Sequence, residues 1–189
     1  MIRTGQTLEN PITGERLIFH KTSRDTDGAY VKVETILQPG AAVAAAHVHP
    51  YQTERFQVLS GTVGMKVGGK RIEAGPGDVV IVDAGTAHKF WNAGDGEARF
   101  VCEVRPAGEF EQLIETMFSL AADGKTSRKG MPNPLRLAVI AKHHFDDVRL
   151  PVIPHALQRA ALSLGAPIGR VFGYTPTYEP TGEPGVAVA

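Results

Sequence analysis

The sequence predicts a mainly β protein, a closed barrel or two-sheet jelly roll followed by a helical C-terminal extension. Three observations predict it. From Glu15 to about Arg105, apolar and polar residues alternate in short runs with no helical period. Turn residues separate those runs, drawn from 21 Gly and 13 Pro among 189 residues. Beyond Arg105 the apolar spacing changes to that of helices.

Taken in order, the alternation predicts strands over 15–21, 29–37, 44–49, 53–59, 62–67, 70–73, 79–82, 87–92 and 98–105. The breaks between them are Gln38-Pro39-Gly40, Ser60-Gly61, Gly68-Gly69, Gly75-Pro76-Gly77-Asp78, Ala84-Gly85 and Ala93-Gly94-Asp95-Gly96. Gly68-Gly69 is a two-residue hairpin signal. Strands so short and numerous would expose unpaired edges as a flat sheet, which favours closure. Phe110, Leu113, Ile114, Met117 and Ala121 then mark one face of a helix that Gly124 would stop. Asn133-Pro134 is a cap and first position for a second helix to about His144. Leu157, Ala160, Ala161 and Leu164 sketch a third, ending before Gly165. The stretch from Tyr174 to Ala189 reads as an extended tail. The expected division is therefore a barrel over 1–107 and a helical extension with its tail over 108–189.

Charge and cysteine content narrow the function classes. Twenty Lys and Arg offset twenty Asp and Glu, which removes the positive field that non-specific phosphate binding requires, so no nucleic-acid partner is expected. No uncharged apolar run approaches the roughly 18 residues of a spanning helix, and residues 1–20 lack a signal-peptide profile, so a cytoplasmic protein is expected. Cys102 is the single cysteine, which excludes an internal disulfide and a cysteine-based metal site. Its apolar flanks mark it as an inert core residue rather than a nucleophile.

The chemistry concentrates in three of the seven histidines. His47 and His49, two apart on an expected strand, share one face. Glu54 follows beyond Pro50 and shares its face with Phe56 and Val58, while Arg55, Gln57 and Leu59 take the other. A carboxylate heading an apolar inward face is costly unless it meets a cation. His88 shares its face with Phe90 and Asn92. Three neutral imidazoles and one carboxylate converging inside a barrel suit one divalent transition metal ion, Fe, Mn, Ni, Cu or Zn. Binding would weaken as acid protonates the imidazoles.

These residues resemble the two motifs of the cupin family, G-x5-H-x-H-x3,4-E-x6-G and G-x5-P-x-G-x2-H-x3-N. Gly40, His47, His49, Glu54 and Gly61 follow the first, with one extra residue between Gly40 and His47. Gly77, Gly85, His88 and Asn92 follow the second, with Asp83 in place of its proline. Both departures fall in turns rather than at ligand positions. The resemblance covers 40–61 and 77–92 and implies a single double-stranded β-helix barrel, a jelly roll, with metal ligands His47, His49, Glu54 and His88.

The expected activity is that of a metal-dependent oxidoreductase, a mononuclear dioxygenase acting on a small organic molecule, with Glu54 also a candidate catalytic base. An isomerase, lyase or cyclase using the ion only as a Lewis acid, and a non-catalytic small-molecule binder, are the alternatives. Phe56, Met65 and Phe90 are expected to point inward and line a substrate pocket. Trp91 is expected outside the barrel, under a helix or a partner subunit of a homodimer. The run His143-His144-Phe145-Asp146-Asp147 reads as a water-exposed helix end, because neighbouring helical residues diverge by about 100°. His20 and His155 read as isolated structural residues.

Overall fold

The computed structural model, which describes residues 1–180, contains nine antiparallel strands, three α-helices and one turn of 3-10 helix at Arg24–Thr26. The strands are β1 (Thr7–Asn10), β2 (Glu15–Lys21), β3 (Val31–Leu37), β4 (Thr53–Ser60), β5 (Val63–Val67), β6 (Lys70–Ala74), β7 (Val79–Val82), β8 (His88–Asn92) and β9 (Ala98–Arg105). They form a six-stranded sheet in the order β1-β2-β3-β9-β4-β7 and a three-stranded sheet in the order β6-β5-β8. The helices are α1 (Phe110–Ala122), α2 (Pro134–His143) and α3 (His155–Val171). No helix among the described residues is long and apolar enough to cross a membrane.

The alternating pattern sets the inward face. Glu54, Phe56 and Val58 of β4 are buried while Arg55 and Leu59 are exposed. Ladder pairing lines Phe56 up with Cys102 of β9, and Cys102 with Val33 of β3. The next inward row holds Val58, Phe100 and Thr35, and these rows supply much of the core. Gly61 closes the turn after β4 at φ 72, and a Cβ there would sit 2.6 Å from the Glu97 carbonyl oxygen, so only glycine fits. Asn92 ties the following loops together, its amide donating to the Leu37 and Gly96 carbonyls.

Four departures from the expected elements have physical causes. The short strand β1 is missed by alternation, having Leu8 as its one apolar residue. It is folded back on β2 by Asn10, whose Oδ1 accepts the backbone N–H groups of Ile12 and Thr13. The segment 44–49 bends at Ala44 and Ala45 and is not a ladder strand. His47 pairs with His88 on one side and Val48 with Arg149 on the other, so neither partner gains a second rung. Helix α3 does not stop before Gly165 but continues to Val171 through Gly165 and Pro167. Its glycines are packing residues, since a Cβ at Gly169 would sit 2.6 Å from the Leu135 carbonyl oxygen of α2. The corner after α2 is not uniformly exposed, because His144 is fully buried. The expected tail runs to Ala189, and its part from 181 lies outside the described residues.

Trp91 lies on the outer face of the small sheet, against Gly64 and beneath the Arg71 and Lys89 side chains, rather than under a helix. His20 pairs with Glu34 at 3.0 Å, and His155 stacks on Phe145.

Candidate metal centre

His47 and His49 come from the segment before β4, Glu54 from the second position of β4, and His88 from the first of β8. Reciprocal backbone hydrogen bonds of 2.9 Å between His47 and His88 clamp the two motifs together. The Gly85 N–H adds a 2.8 Å bond to the His49 carbonyl. The four side chains thus meet, their ligand atoms all within 4.8 Å of one another.

Each imidazole is oriented from behind. Nδ1 of His47 faces the Ala45 carbonyl at 2.9 Å, Nδ1 of His49 the Asp147 carbonyl at 2.6 Å, and Nδ1 of His88 the Thr86 carbonyl at 3.1 Å. A carbonyl only accepts, so each Nδ1 carries the proton and each Nε2 presents a lone pair to the centre. Glu54 Oε2 lies 2.7 Å from His88 Nε2, yet the two atoms lack hydrogen-bond geometry and neither has another partner, although both are buried. Glu54 Oε1 is 3.8 Å from His49 Nε2 and accepts from the Cys102 thiol at 3.7 Å. Buried polar atoms are seldom left unsatisfied. Three lone pairs and a carboxylate converging on one point are the donor set of a divalent transition metal, so the residues fit the ion.

The electrostatics favour the ligand forms at two positions. Burial foremost, then the neighbouring His88 and His49, pushes His47 down to about 3, which keeps it neutral. Burial alone would raise Glu54, but the surrounding imidazoles, His49 first, outweigh it and hold the carboxyl at about 2. For His88 burial acts downward, and the Glu54 carboxylate more than reverses it, so its pKa is raised. Burial first, and then the Glu54 charge, lifts the Cys102 thiol well above its ordinary range.

The centre opens into a cavity of about 550 Å³ that extends between the barrel and the helices. Phe56 and Phe90 border it, and with Phe100 they form an aromatic cluster with ring centroids 5.3–6.0 Å apart. Met65 does not border it; fully buried on β5 and paired with Phe90 of β8 and Ile72 of β6, it packs in the barrel core. Opposite the barrel, the helices contribute Leu113, Ile114 and Met117 of α1, Ile140 of α2 and Leu157 of α3 to its wall.

Sequence reasoning missed three residues here. Asp147 orients His49 from 98 positions away, a pairing that no local spacing announces. Cys102 touches Glu54 as well as filling space, which the in-out parity of β9 could have suggested. Glu15, buried on β2, borders the cavity with Asn10 and Thr35 at the opposite end of the strands from Glu54.

Residues 33–104 match the Cupin domain family. A probable oxidoreductase of Hypocrea virens, virH, is 29% identical over 174 residues, covering 82% of this chain and 78% of that protein. Quercetin 2,3-dioxygenase of Bacillus subtilis is 33% identical over 82 residues, 42% of this chain and 23% of the dioxygenase. Among solved structures, a predicted oxalate decarboxylase of Thermotoga maritima aligns with a TM-score of 0.49 at 21% identity, covering 56% of this chain and 98% of that one.

Proposed function

Because the chain belongs to the cupin superfamily, its cupin domain matching over residues 33–104, we propose that it is a metal-dependent oxidoreductase, a mononuclear dioxygenase acting on a small, largely apolar organic molecule. The observation that carries this reading is the set of three imidazoles, each oriented by a backbone carbonyl, facing Glu54 at one end of an apolar cavity. Likeness to a probable oxidoreductase and, over the barrel segment, to a dioxygenase supports the reaction class.

His47, His49, Glu54 and His88 would hold the ion, and Phe56 and Phe90 would seat the substrate against it. The bound metal supplies Lewis acidity and, as Fe, Mn, Ni or Cu, redox access to dioxygen. Glu54 would serve first as a ligand, the neighbouring imidazoles favouring its ionised form, and is the candidate base. The apolar walls exclude water and favour a ligand with few polar groups. Cytoplasmic residence belongs to the same proposal, supported by a single cysteine that is free and buried.

A homodimer is also part of it. Leu157, Ala161, Leu164, Ile168 and Val171 recur on α3 at steps of four and three, all exposed. Such a seam lets two copies of one helix pack on each other. Leu164→Glu is expected to convert a dimer to monomer in sedimentation velocity, and a variant that sediments like the wild type counts against this face.

The deciding experiment is metal analysis of tag-free protein beside His88→Ala, followed by oxygen uptake with candidate phenols, diketones and thiols. Near-stoichiometric Fe, Mn, Ni or Cu, lost in the variant, together with substrate-dependent oxygen uptake, is the expected result. Zinc that is lost in His88→Ala, with no oxygen uptake, would overturn the dioxygenase reading in favour of a Lewis-acid isomerase, lyase or cyclase. No metal even after reconstitution would leave a non-catalytic binder.

A further inference from the structure

The corner where α1 and α2 meet gathers a second set of donors outside the barrel. Glu109 is the residue before α1, His143 ends α2, and His144 is its C-cap. The 100° divergence that separates neighbouring helical side chains holds inside a helix, and here the helix has ended. The His143 and His144 rings sit edge to face with centroids 4.8 Å apart. Glu109 Oε2 lies 3.4 Å from His143 Nε2 and 3.3 Å from His144 Nδ1. Tetrahedral coordination with bonds of 2.0–2.1 Å sets neighbouring donor atoms about 3.4 Å apart, so two ligand edges already have the required length. All three donor atoms lie within 4.8 Å of one another, and the half-exposed His143 would exchange its 3.3 Å contact with Gln112 Oε1 for the ion as the third edge shortens.

His144 is the second observation. Its ring is fully buried, and neither nitrogen has a hydrogen-bond partner even though Nδ1 faces Glu109. A buried imidazole with neither nitrogen in a hydrogen bond is an unusual expense for a fold, and a cation held between Nδ1 and the facing Glu109 carboxylate removes it at Nδ1.

We propose that Glu109, His143 and His144 form a second divalent-cation site, with two nitrogens and one carboxylate oxygen suited to Zn²⁺. Asp147 Oδ2, 3.8 Å from His144 Nδ1, and Gln112 Oε1, 3.3 Å from His143 Nε2, are the further oxygens at hand for a fourth position. The same Asp147 accepts the Glu109 backbone N–H at 2.9 Å through Oδ1, and its carbonyl orients His49. Gly108 permits that approach, since a Cβ there would sit 2.4 Å from Asp147 Oδ1. An ion at this corner therefore staples the two helices to the barrel lip and fixes the backbone that aims His49. The site itself does not depend on the dioxygenase reading.

The test titrates metal-free, full-length protein with Zn²⁺ by calorimetry and with Co²⁺ by visible absorption. Wild type is expected to take two equivalents, His88→Ala one, and the Glu109→Ala/His143→Ala pair one. The paired substitutions are at exposed or half-exposed positions, which spares the buried His144. A single equivalent in wild type that survives the paired substitution, or two equivalents retained by the pair, would overturn the corner site. Loss of the barrel equivalent alone is read separately in His88→Ala, so the two sites fail distinguishably.

Discussion

Glu15 illustrates what one buried carboxyl does to a barrel. Burial first, partly offset by the nearby Thr13 hydroxyl, raises its pKa from 4.5 to about 7. The folded protein thus holds a proton that the unfolded chain releases near the ordinary carboxylate value. Between those two values the folded state binds more protons, so stability falls as pH rises through that window and levels off above about 7. Glu15→Gln keeps the shape without the charge, and is expected to flatten this decline and gain up to roughly 3 kcal/mol at pH 8. Urea unfolding of both proteins at pH 4.5, 6 and 8 checks it; parallel curves would remove Glu15 as the cause. At this scale the sequence discloses what spacing encodes. His47, His49, Glu54 and His88 are legible because motif spacing and strand parity bring them together. Asp147, His144 and Glu15 are not, because their roles arise from long-range packing and burial.

Elements were legible where their ends carry chemistry. Asn133 caps α2 as its sequence signals, accepting the Arg136 N–H at 3.0 Å, and Gly68-Gly69 joins β5 to β6. They were misread where one residue type serves two purposes. Gly165 resembles a helix stop, yet with Gly169 it lies where α3 presses on α2, and a Cβ at 165 would come within 3.1 Å of Ala138 Cβ. The contact at Gly169 is tighter, 2.6 Å to both the Leu135 carbonyl oxygen and Val139 Cγ2, and backbone cannot yield as a side-chain tip can. Gly169→Ala is therefore expected to destabilise by about 1–3 kcal/mol despite the better helix propensity of alanine. Gly173→Ala is no fair control, because Gly173 has φ 78, whereas exposed Ser163→Ala in the same helix is. Thermal unfolding that leaves Gly169→Ala level with Ser163→Ala would show that the helices separate without cost.

For the molecule as a whole, the cavity is the feature that the division into barrel and extension conceals. Sequence periodicity reports which face of each element is apolar, and it is silent on whether two apolar faces touch or leave space between them. Here they leave space: Phe56, Phe90 and Phe100 form the barrel side, while Leu113, Ile114, Met117 and Ile140 form the helical side. At about 550 Å³ the cavity falls within the range of small-molecule sites, roughly 300–1,000 Å³. Its walls should therefore take up a neutral aromatic probe in the native protein. Ala141 on α2 borders the same space, and Ala141→Phe projects a ring into it from the helical wall. The variant is expected to lose most of the fluorescence enhancement of N-phenyl-1-naphthylamine while keeping a cooperative melt and its barrel metal. Undiminished probe binding would place the probe elsewhere and deny the helices their part in forming the substrate chamber. Loss of probe and metal together would instead mean that the substitution disturbs Asp147 and, through its carbonyl, the aim of His49.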